Sequence, residues 1–382
     1  MPLLFVVAST FTKTRFTTKT IEILQQWGLG DGHRPLIIAG PCSAETPEQM
    51  LETATGISAG GIGVFRAGLW KPRTRPGAFE GVGNLGIKMM QQVQSVAGLK
   101  VATEVANAAH AQAALEAGFD IVWIGARTTA NPFAVQEIAR VLQGTDIPVF
   151  VKNPLNPDVE LWIGAIERLL ESDIRKVGAI HRGFSLYEKN IFRNPPMWQI
   201  PIELRRRMPQ VPMLCDPSHI AGNRELLQQV AQKAMDLNFD GLMIETHCNP
   251  AAALSDPQQQ ITPQALHQLL QNLVIRHLES DDADNNTLEE LRSQISCLDN
   301  EMLGLLHKRM TLVKAIGHYK KKHNITILQP QRWNEIITTG LNTGQQLELS
   351  EAFINNLFKT IHEESISTQT RVMNEPEESE ES

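Results

Sequence analysis

From Pro35 to about residue 278 the chain repeats one unit eight times: a short apolar run, a Gly- or Pro-marked loop, then a helical stretch. The runs are PLIIAG (35–40), GVFRAG (63–68), KVATEV (100–105), IVWIGA (121–126), PVFVKN (148–153), VGAIHRG (177–183), VPMLCD (211–216) and GLMIETH (241–247). Between them lie segments such as TPEQMLETATGISAG, rich in helix formers at helical spacing. Runs this short and this continuously apolar suit parallel strands covered on both faces. Eight strands alternating with helices predict an eightfold parallel α/β barrel, a (β/α)8 TIM barrel. The 382 residues leave room for a second, smaller domain.

Nearly every run ends in a side chain with chemistry: Cys42, Arg66, Glu104, Arg127, Lys152, Arg182, Asp216 and Glu245. In such a barrel the C-terminal strand ends build the active site, so these residues are expected to meet at one mouth. Arg66, Arg127, Lys152 and Arg182, joined by Lys71 and Arg73 of the KPRT loop (71–74), would repel one another unless an anion compensated them. Guanidinium forks suit phosphate and carboxylate oxygens. The expected ligands are small and multiply anionic, most simply two phosphorylated molecules. A second set, Cys42, His219, Glu245 and Asp256, offers a thiolate, an imidazole and two carboxylates. Such a mixed set would hold one divalent ion, Mn, Fe, Co or Zn, without strong selection.

The remaining features narrow the class. A net charge of -7 without a basic run gives nucleic acid no footing, and no apolar run approaches a membrane span. Four scattered cysteines and the lack of a positive leader before MPLLFVVAST point to a reducing, cytoplasmic setting. Residues 1–34 show no strong periodicity and are assigned only as an N-terminal extension, ahead of a barrel at 35–278. The polar stretch ESDDADNNT (279–287) reads as a linker, and the acidic tail 373–382 as disordered. Between them, residues 288–372 are helical. Thr287 with Glu290 forms a capping-box signature before a helix that should run to about residue 323. Its apolar seam, Leu288, Leu291, Ile295, Leu298, Met302, Leu305, Leu312 and Ile316, carries one charge, Arg309. A buried guanidinium should meet an anion. Arg292 and Lys320 lie roughly 42 Å apart along one helix, so only an antiparallel partner could bring them to a shared ligand.

GPCSAET, KPRT, the WIGAR strand, VFVKNP, HRGF, DPSH with AGNR, and ETH…LSDPQQ together resemble DAHP synthases, in particular the smaller bacterial branch of type I, over residues 35 to about 270. The resemblance implies condensation of phosphoenolpyruvate with erythrose 4-phosphate. It makes Cys42, His219, Glu245 and Asp256 the metal ligands and sets Arg66, Lys71, Arg127, Lys152 and Arg182 around phosphoenolpyruvate. Pro72, Arg73 and Thr74 would meet the aldose phosphate, Asp216 its hydroxyls, and Glu104 or a metal-bound water would move protons. The sister family that makes 3-deoxy-octulosonate 8-phosphate is the distant alternative, with a KANRS-type sequence where this chain has KPRT.

The pattern LRSQISCLDNEMLGLLHKR, GHYKK, QPQRW and EESISTQ resembles the all-helical chorismate mutases over about residues 286–372. That resemblance assigns Arg292 (from a partner chain), Arg309 and Arg332 to the substrate carboxylates, and Lys320 and Gln369 to the ether oxygen, with Ser365 nearby. It implies a homodimer or larger assembly through the helical domain, no cofactor there, and feedback by prephenate or chorismate. Gln329 stands where an Asp is frequent. Trp333 stands where a Glu contacts the substrate hydroxyl, and Glu335 is the candidate to replace it. Two alternatives keep only the barrel catalytic, with the helical domain as a chorismate- or prephenate-binding regulatory module or as a plain dimerisation device.

Overall fold

A computed structural model describes residues 19–71, 77, 79–187, 190–276 and 285–376. The chain divides into two compact units, Met1–Leu278 and Glu279–Ser382.

In the first unit eight parallel strands close a barrel in sequence order. They are β1 (Leu36–Gly40), β2 (Val64–Arg66), β3 (Lys100–Val105), β4 (Ile121–Ile124), β5 (Val149–Lys152), β6 (Val177–His181), β7 (Met213–Cys215) and β8 (Gly241–Glu245). Each falls inside one of the eight apolar runs. Closure is made by β1 and β8, paired from Leu36↔Gly241 to Gly40↔Glu245. The outer ring comprises α2 (Pro47–Ser58), α3 (Leu85–Ala97), α4 (Ala108–Glu116), α6 (Pro132–Leu142), α7 (Val159–Glu171), α8 (Gln199–Arg207), α10 (Leu227–Asp236) and α11 (Pro263–Gln271). Two short helices, α5 (Ala126–Thr129) and α9 (Pro217–Ala221), follow β4 and β7 directly. Several starts are written in the sequence: Thr46, Asn107, Asn131, Asp158 and Thr262 each cap a helix by accepting a backbone N–H.

Strand alternation sorts the apolar residues into two cores. Residues such as Phe65, Val101, Val122, Val151 and Ile244 face the helices. Ile38, Val64, Ala102, Trp123, Phe150, Ile180, Leu214 and Met243 fill the barrel interior. Helix α1 (Lys19–Gln26) and the turn after it belong to this unit: Leu24 and Leu29 complete the interior cluster, and Trp27 meets Phe150 edge-on at 6.1 Å. Thr20 Oγ1 donates to Asp240 Oδ1 beside them. A segment without clear periodicity thus closes the barrel floor; one helix with two or three inward contacts is too short to show a repeat.

The second unit consists of α12 (Asn285–Lys322), α13 (Pro330–Gln346) and α14 (Glu351–Asn374). Helix α12 ends within a residue of the expected position, but it begins at Asn285, so Thr287 lies inside the first turn and does not cap it. The asparagines 285 and 286 contain no breaker, and the helix takes them in. The expected linker lies outside the described residues up to 284, and 285–287 are helical. Of the acidic tail, residues 377–382 lie outside the described residues, while α14 extends to Asn374. Helix α14 packs on both α12 and α13. At Gly344 an added Cβ would stand 2.6 Å from the Ile354 side chain, so glycine lets α13 approach α14 closely. The first half of α12 has no such cover. Leu291, Ile295, Leu298, Met302 and Leu305 are all exposed in the single chain.

Candidate active sites

The barrel site follows from the alternation that fills its core. Two residues past each interior core position, the next side chain again faces inward. Val64 thus leads to Arg66, Ala102 to Glu104, Phe150 to Lys152, Ile180 to Arg182, Leu214 to Asp216 and Met243 to Glu245, while Ile38 leads through Gly40 to Cys42. On β4 the corresponding residue is Gly125, where a Cβ would come within 2.1 Å of Glu104 Oε1. Glycine there makes room for the Glu104 carboxylate.

Trp123 forms a common base for this layer. The Arg66 guanidinium lies 4.9 Å and Lys152 Nζ 5.7 Å from its ring centroid, both within cation–π range. Its Nε1 donates to Glu104 Oε2 at 3.2 Å. Arg66 is buried, with Nη2 3.3 Å from Glu245 Oε1, yet its Nε and Nη1 have no hydrogen-bond partner among the described residues. Leaving buried guanidinium N–H groups unsatisfied is costly, and an anionic ligand removes that cost. Lys71 Nζ donates to the Cys42 carbonyl at 2.8 Å. Arg182 donates to Asn194 Oδ1 at 2.8 Å, and burial lowers its pKa to about 10. Burial likewise lowers that of Lys152, against the pull of Asp216. Arg127, on α5, is exposed at the mouth. Pro72, Arg73 and Thr74 lie outside the described residues.

The four proposed ligand residues approach one another. Single ligand atoms of Cys42, Glu245 and Asp256 lie within 4.8 Å of each other, with Cys42 Sγ 3.3 Å from Asp256 Oδ2. His219 Nε2 is 3.7 Å from Glu245 Oε1, and its Nδ1 is 2.8 Å from Asp216 Oδ2. That disposition, a carboxylate behind the imidazole, holds a ligating histidine in orientation. Burial lowers the His219 pKa and so favours the neutral, ligand-competent ring. Burial, aided by the Glu245 charge, pushes the Cys42 thiol up to about 12; a cation binding there must displace its proton. A soft thiolate, an imidazole and two carboxylates in this proximity fit a divalent transition-metal ion.

Asp216 is fully buried. Its Oδ2 lies 2.7 Å from Lys152 Nζ and its Oδ1 accepts from the His219 backbone N–H. Both oxygens are thus engaged within the protein, by Lys152 and His219.

Composition and spacing did not single out the side chains that secure the ligand loop. Gln260 accepts from Cys42 N and donates to Ser255 O. Arg224 ties down the carbonyls of Pro257 and Gln260 at 2.7 Å each. Glu45 Oε1 accepts from Leu254 N. Together they hold Asp256 at φ 47°, a left-handed conformation that aspartate tolerates better than most residues. Arg193 and Gln259 also touch Asp256 and Glu245. All of these sit on irregular loops, where no period marks a residue as facing the site.

In the helical unit, Arg309 on α12 donates to Ser365 Oγ on α14 at 2.7 Å, and among the described residues no carboxylate pairs with it. Lys320 is buried and donates to Ile327 O at 2.6 Å. Gln369, one turn beyond Ser365, is buried, and its Oε1 has no hydrogen-bond partner among the described residues. Burial lowers the pKa of both Arg309 and Lys320. Ser365 and Gln369 of α14 thus face α12, where they meet Arg309 and the backbone at Gly317. Arg332 is exposed and pairs with Glu335 at 2.9 Å. Arg292 is also exposed, near the far end of α12 and paired with Glu289. Trp333 stacks on His362 at 3.9 Å.

A closed parallel barrel with an inward ring of cations beside a cysteine–histidine–carboxylate cluster has the makings of an enzyme for small anionic substrates. Comparison with known proteins makes the class specific. The family model described as DAHP synthetase I family matches residues 15–277, and that described as chorismate mutase type II matches residues 291–370. The chain belongs to the DAHP synthetase I family and carries a type II chorismate mutase domain fused behind the barrel. A phospho-2-dehydro-3-deoxyheptonate aldolase of Thermotoga maritima is 31% identical over 64% of this chain and 70% of its own length. The crystal structure of that organism's DAHP synthase superposes with a TM-score of 0.56 over 62% of this chain and 67% of that one. A 2-dehydro-3-deoxyphosphooctonate aldolase of Geobacter sulfurreducens is 26% identical over 63% of this chain and 92% of its length. The bifunctional chorismate mutase/prephenate dehydratase of Buchnera aphidicola is 35% identical over 23% of each chain.

Proposed function

We propose that the barrel condenses phosphoenolpyruvate with erythrose 4-phosphate on its inward layer of strand-end residues, and that the helical unit rearranges chorismate to prephenate in a cradle completed by a second copy. The observation that carries the first half is the juxtaposition of Arg66, buried with two unsatisfied nitrogens, and the Cys42–Glu245–Asp256 cluster. An anion and a cation are wanted side by side.

Arg66, Lys71, Arg127, Lys152 and Arg182 hold phosphoenolpyruvate against the repulsion of the second phosphate, which Pro72, Arg73 and Thr74 receive. Cys42, His219, Glu245 and Asp256 hold the ion; Asp216 orients His219 and Lys152. A divalent metal bound by this set supplies Lewis acidity at the aldehyde carbonyl. Glu104, fixed by Trp123 among the cations, takes and returns the proton needed when water adds at the former enol carbon. The KPRT loop, rather than a KANRS-type sequence, favours erythrose 4-phosphate over arabinose 5-phosphate.

The rearrangement is pericyclic and needs no nucleophile. Arg309, Arg332 and the partner's Arg292 hold carboxylates, while Lys320 and Gln369 meet the ether oxygen as charge separates, with Ser365 fixing Arg309. The exposed apolar seam of α12 supports dimerisation, since a lone helix face of this kind is normally covered. A second reading makes the helical unit a regulatory module that binds chorismate or prephenate and feeds back on the barrel. Trp333, stacked on His362 where a glutamate would contact substrate, favours it. No described helix is long and apolar enough to cross a membrane, in keeping with a cytoplasmic biosynthetic role. One experiment tests both halves. EDTA should abolish condensation and leave chorismate turnover intact, and Arg309→Ala should cut chorismate turnover at least about 100-fold. Equal chelator sensitivity would refute the first half, and equal slow turnover by wild type and variant would leave the regulatory reading standing.

A further inference from the structure

Two of the four ligand residues in the barrel are carboxylates, and each has one oxygen engaged by a side chain with no role in holding substrate. Asp256 Oδ1 accepts from Arg193 Nη1 at 2.9 Å. Glu245 Oε2 accepts from Gln259 Nε2 at 2.6 Å. The two contacts are joined, because Arg193 Nη1 also donates to Gln259 Oε1 at 2.7 Å. Guanidinium has no acceptor and ionised carboxylate no donor, so only one orientation of the Gln259 amide satisfies both neighbours: oxygen to Arg193, nitrogen to Glu245. Gln259 is 1% exposed, so water has no room to replace it.

The remaining oxygens are the ones that face the other donors. Asp256 Oδ2 lies 3.3 Å from Cys42 Sγ, and Glu245 Oε1 lies 3.7 Å from His219 Nε2. Each carboxylate thus has one oxygen held by the Arg193–Gln259 pair and one turned towards the cluster, where Glu245 Oε1 also accepts from Arg66 Nη2 at 3.3 Å. We propose that Arg193 and Gln259 are positioning residues that force Asp256 and Glu245 to present one oxygen each to a divalent cation, and that they set the affinity of the site. The inference rests on the reading of Cys42, His219, Glu245 and Asp256 as metal ligands. It follows from the chain Arg193–Gln259–Glu245, which couples a ligand on a loop to a ligand on β8. Without it Asp256 is free to swing about its φ of 47°, and Glu245 to turn both oxygens to the ion. Partners behind a ligating side chain typically change metal affinity about 10- to 100-fold when removed.

The test uses the full-length chain, stripped of metal and titrated with Co2+ against a competing chelator. The readouts are the dissociation constant and the thiolate-to-cobalt absorption band. Gln259→Leu, which keeps the volume and removes both contacts, should weaken Co2+ about 10- to 100-fold and alter the visible spectrum, with the band from Cys42 retained. Gln259→Glu keeps the acceptor for Arg193 but cannot donate to Glu245, and should weaken binding comparably. Arg193→Lys should recover most of the affinity lost in Arg193→Met, which a purely structural role on an exposed loop would not produce. Circular dichroism of the metal-free proteins identifies any variant that fails to fold, and the conservative Gln259→Glu then carries the test. Wild-type affinity and spectrum in the folded Gln259 variants and in Arg193→Met would overturn the proposal. A wild-type chain that binds Co2+ without a thiolate band gives a different failure: the ligand set itself is then wrong, and this inference falls with it.

Discussion

Gly125 has the smallest side chain in the barrel site and one of the strictest requirements. An added methyl meets the Glu104 carboxyl group at 2.1 Å and its Cδ at 2.8 Å, so the carboxylate rather than the backbone must move. Gly125→Ala is therefore expected to leave the fold intact and lower condensation kcat/KM about 100-fold, as displacement of a positioned group by an ångström does. Steady-state kinetics with unchanged circular dichroism checks it. His181, at the end of β6, faces away from the site into Trp162, Phe184, Trp198 and Phe239. Burial, with the Arg182 charge, depresses its pKa to about 3. The unfolded chain titrates this group near 6.5, so its contribution to stability is complete above that pH and is lost as pH falls from 6.5 towards 3. The loss is on the order of a few kcal/mol. His181→Phe should flatten the fall in urea-unfolding stability over that window, and an unchanged slope would disprove the assignment.

At the scale of elements, the strands were legible because a strand buried on both faces must be apolar almost throughout, and Gly, Pro or a charge marks where it stops. The inward layer was legible for the same reason: a charged residue at the end of an otherwise apolar run has few other places to go. Glu104, Lys152 and Glu245 were found that way. Arg193, Gln259 and Gln260 were not, because their positions are set by contacts across the fold and no local pattern encodes those. Asp216 was found as a strand-end residue, but its contacts with His219 and Lys152 were not, since those partners come from different stretches of sequence. Helix α1 was missed as structure altogether. Its part in the fold predicts that Leu24→Ala, at a side chain 2% exposed in the interior cluster, costs about 2–5 kcal/mol. Chemical denaturation followed by Trp27 fluorescence measures this directly.

On the scale of the whole molecule, the two units differ in how far each is complete. The barrel encloses its own layer of cations and ligands. The helical unit leaves the first half of α12 bare, with Leu298 62% exposed, and puts Arg292 far from Arg309. On the proposed dimer, Leu298→Glu should yield a monomer in sedimentation and lower chorismate turnover more than about tenfold, because the interface that brings in the partner's Arg292 would be lost. Condensation would be tested on the same sample, and parallel loss of both activities would count against separate sites.

The closure of the barrel has a further consequence for its ligands. Cys42 follows the first strand and Glu245 ends the last, and these strands are neighbours only because the ring closes between β1 and β8. An ion shared by the two residues therefore staples the beginning of the barrel to its end, across the one seam that forms only after the final strand has been made. Such a clasp favours the native state by about 2.7 kcal/mol at a hundred times its dissociation constant. With the proposed ligand set filled in this way, metal supply would help set what fraction of the chain is folded.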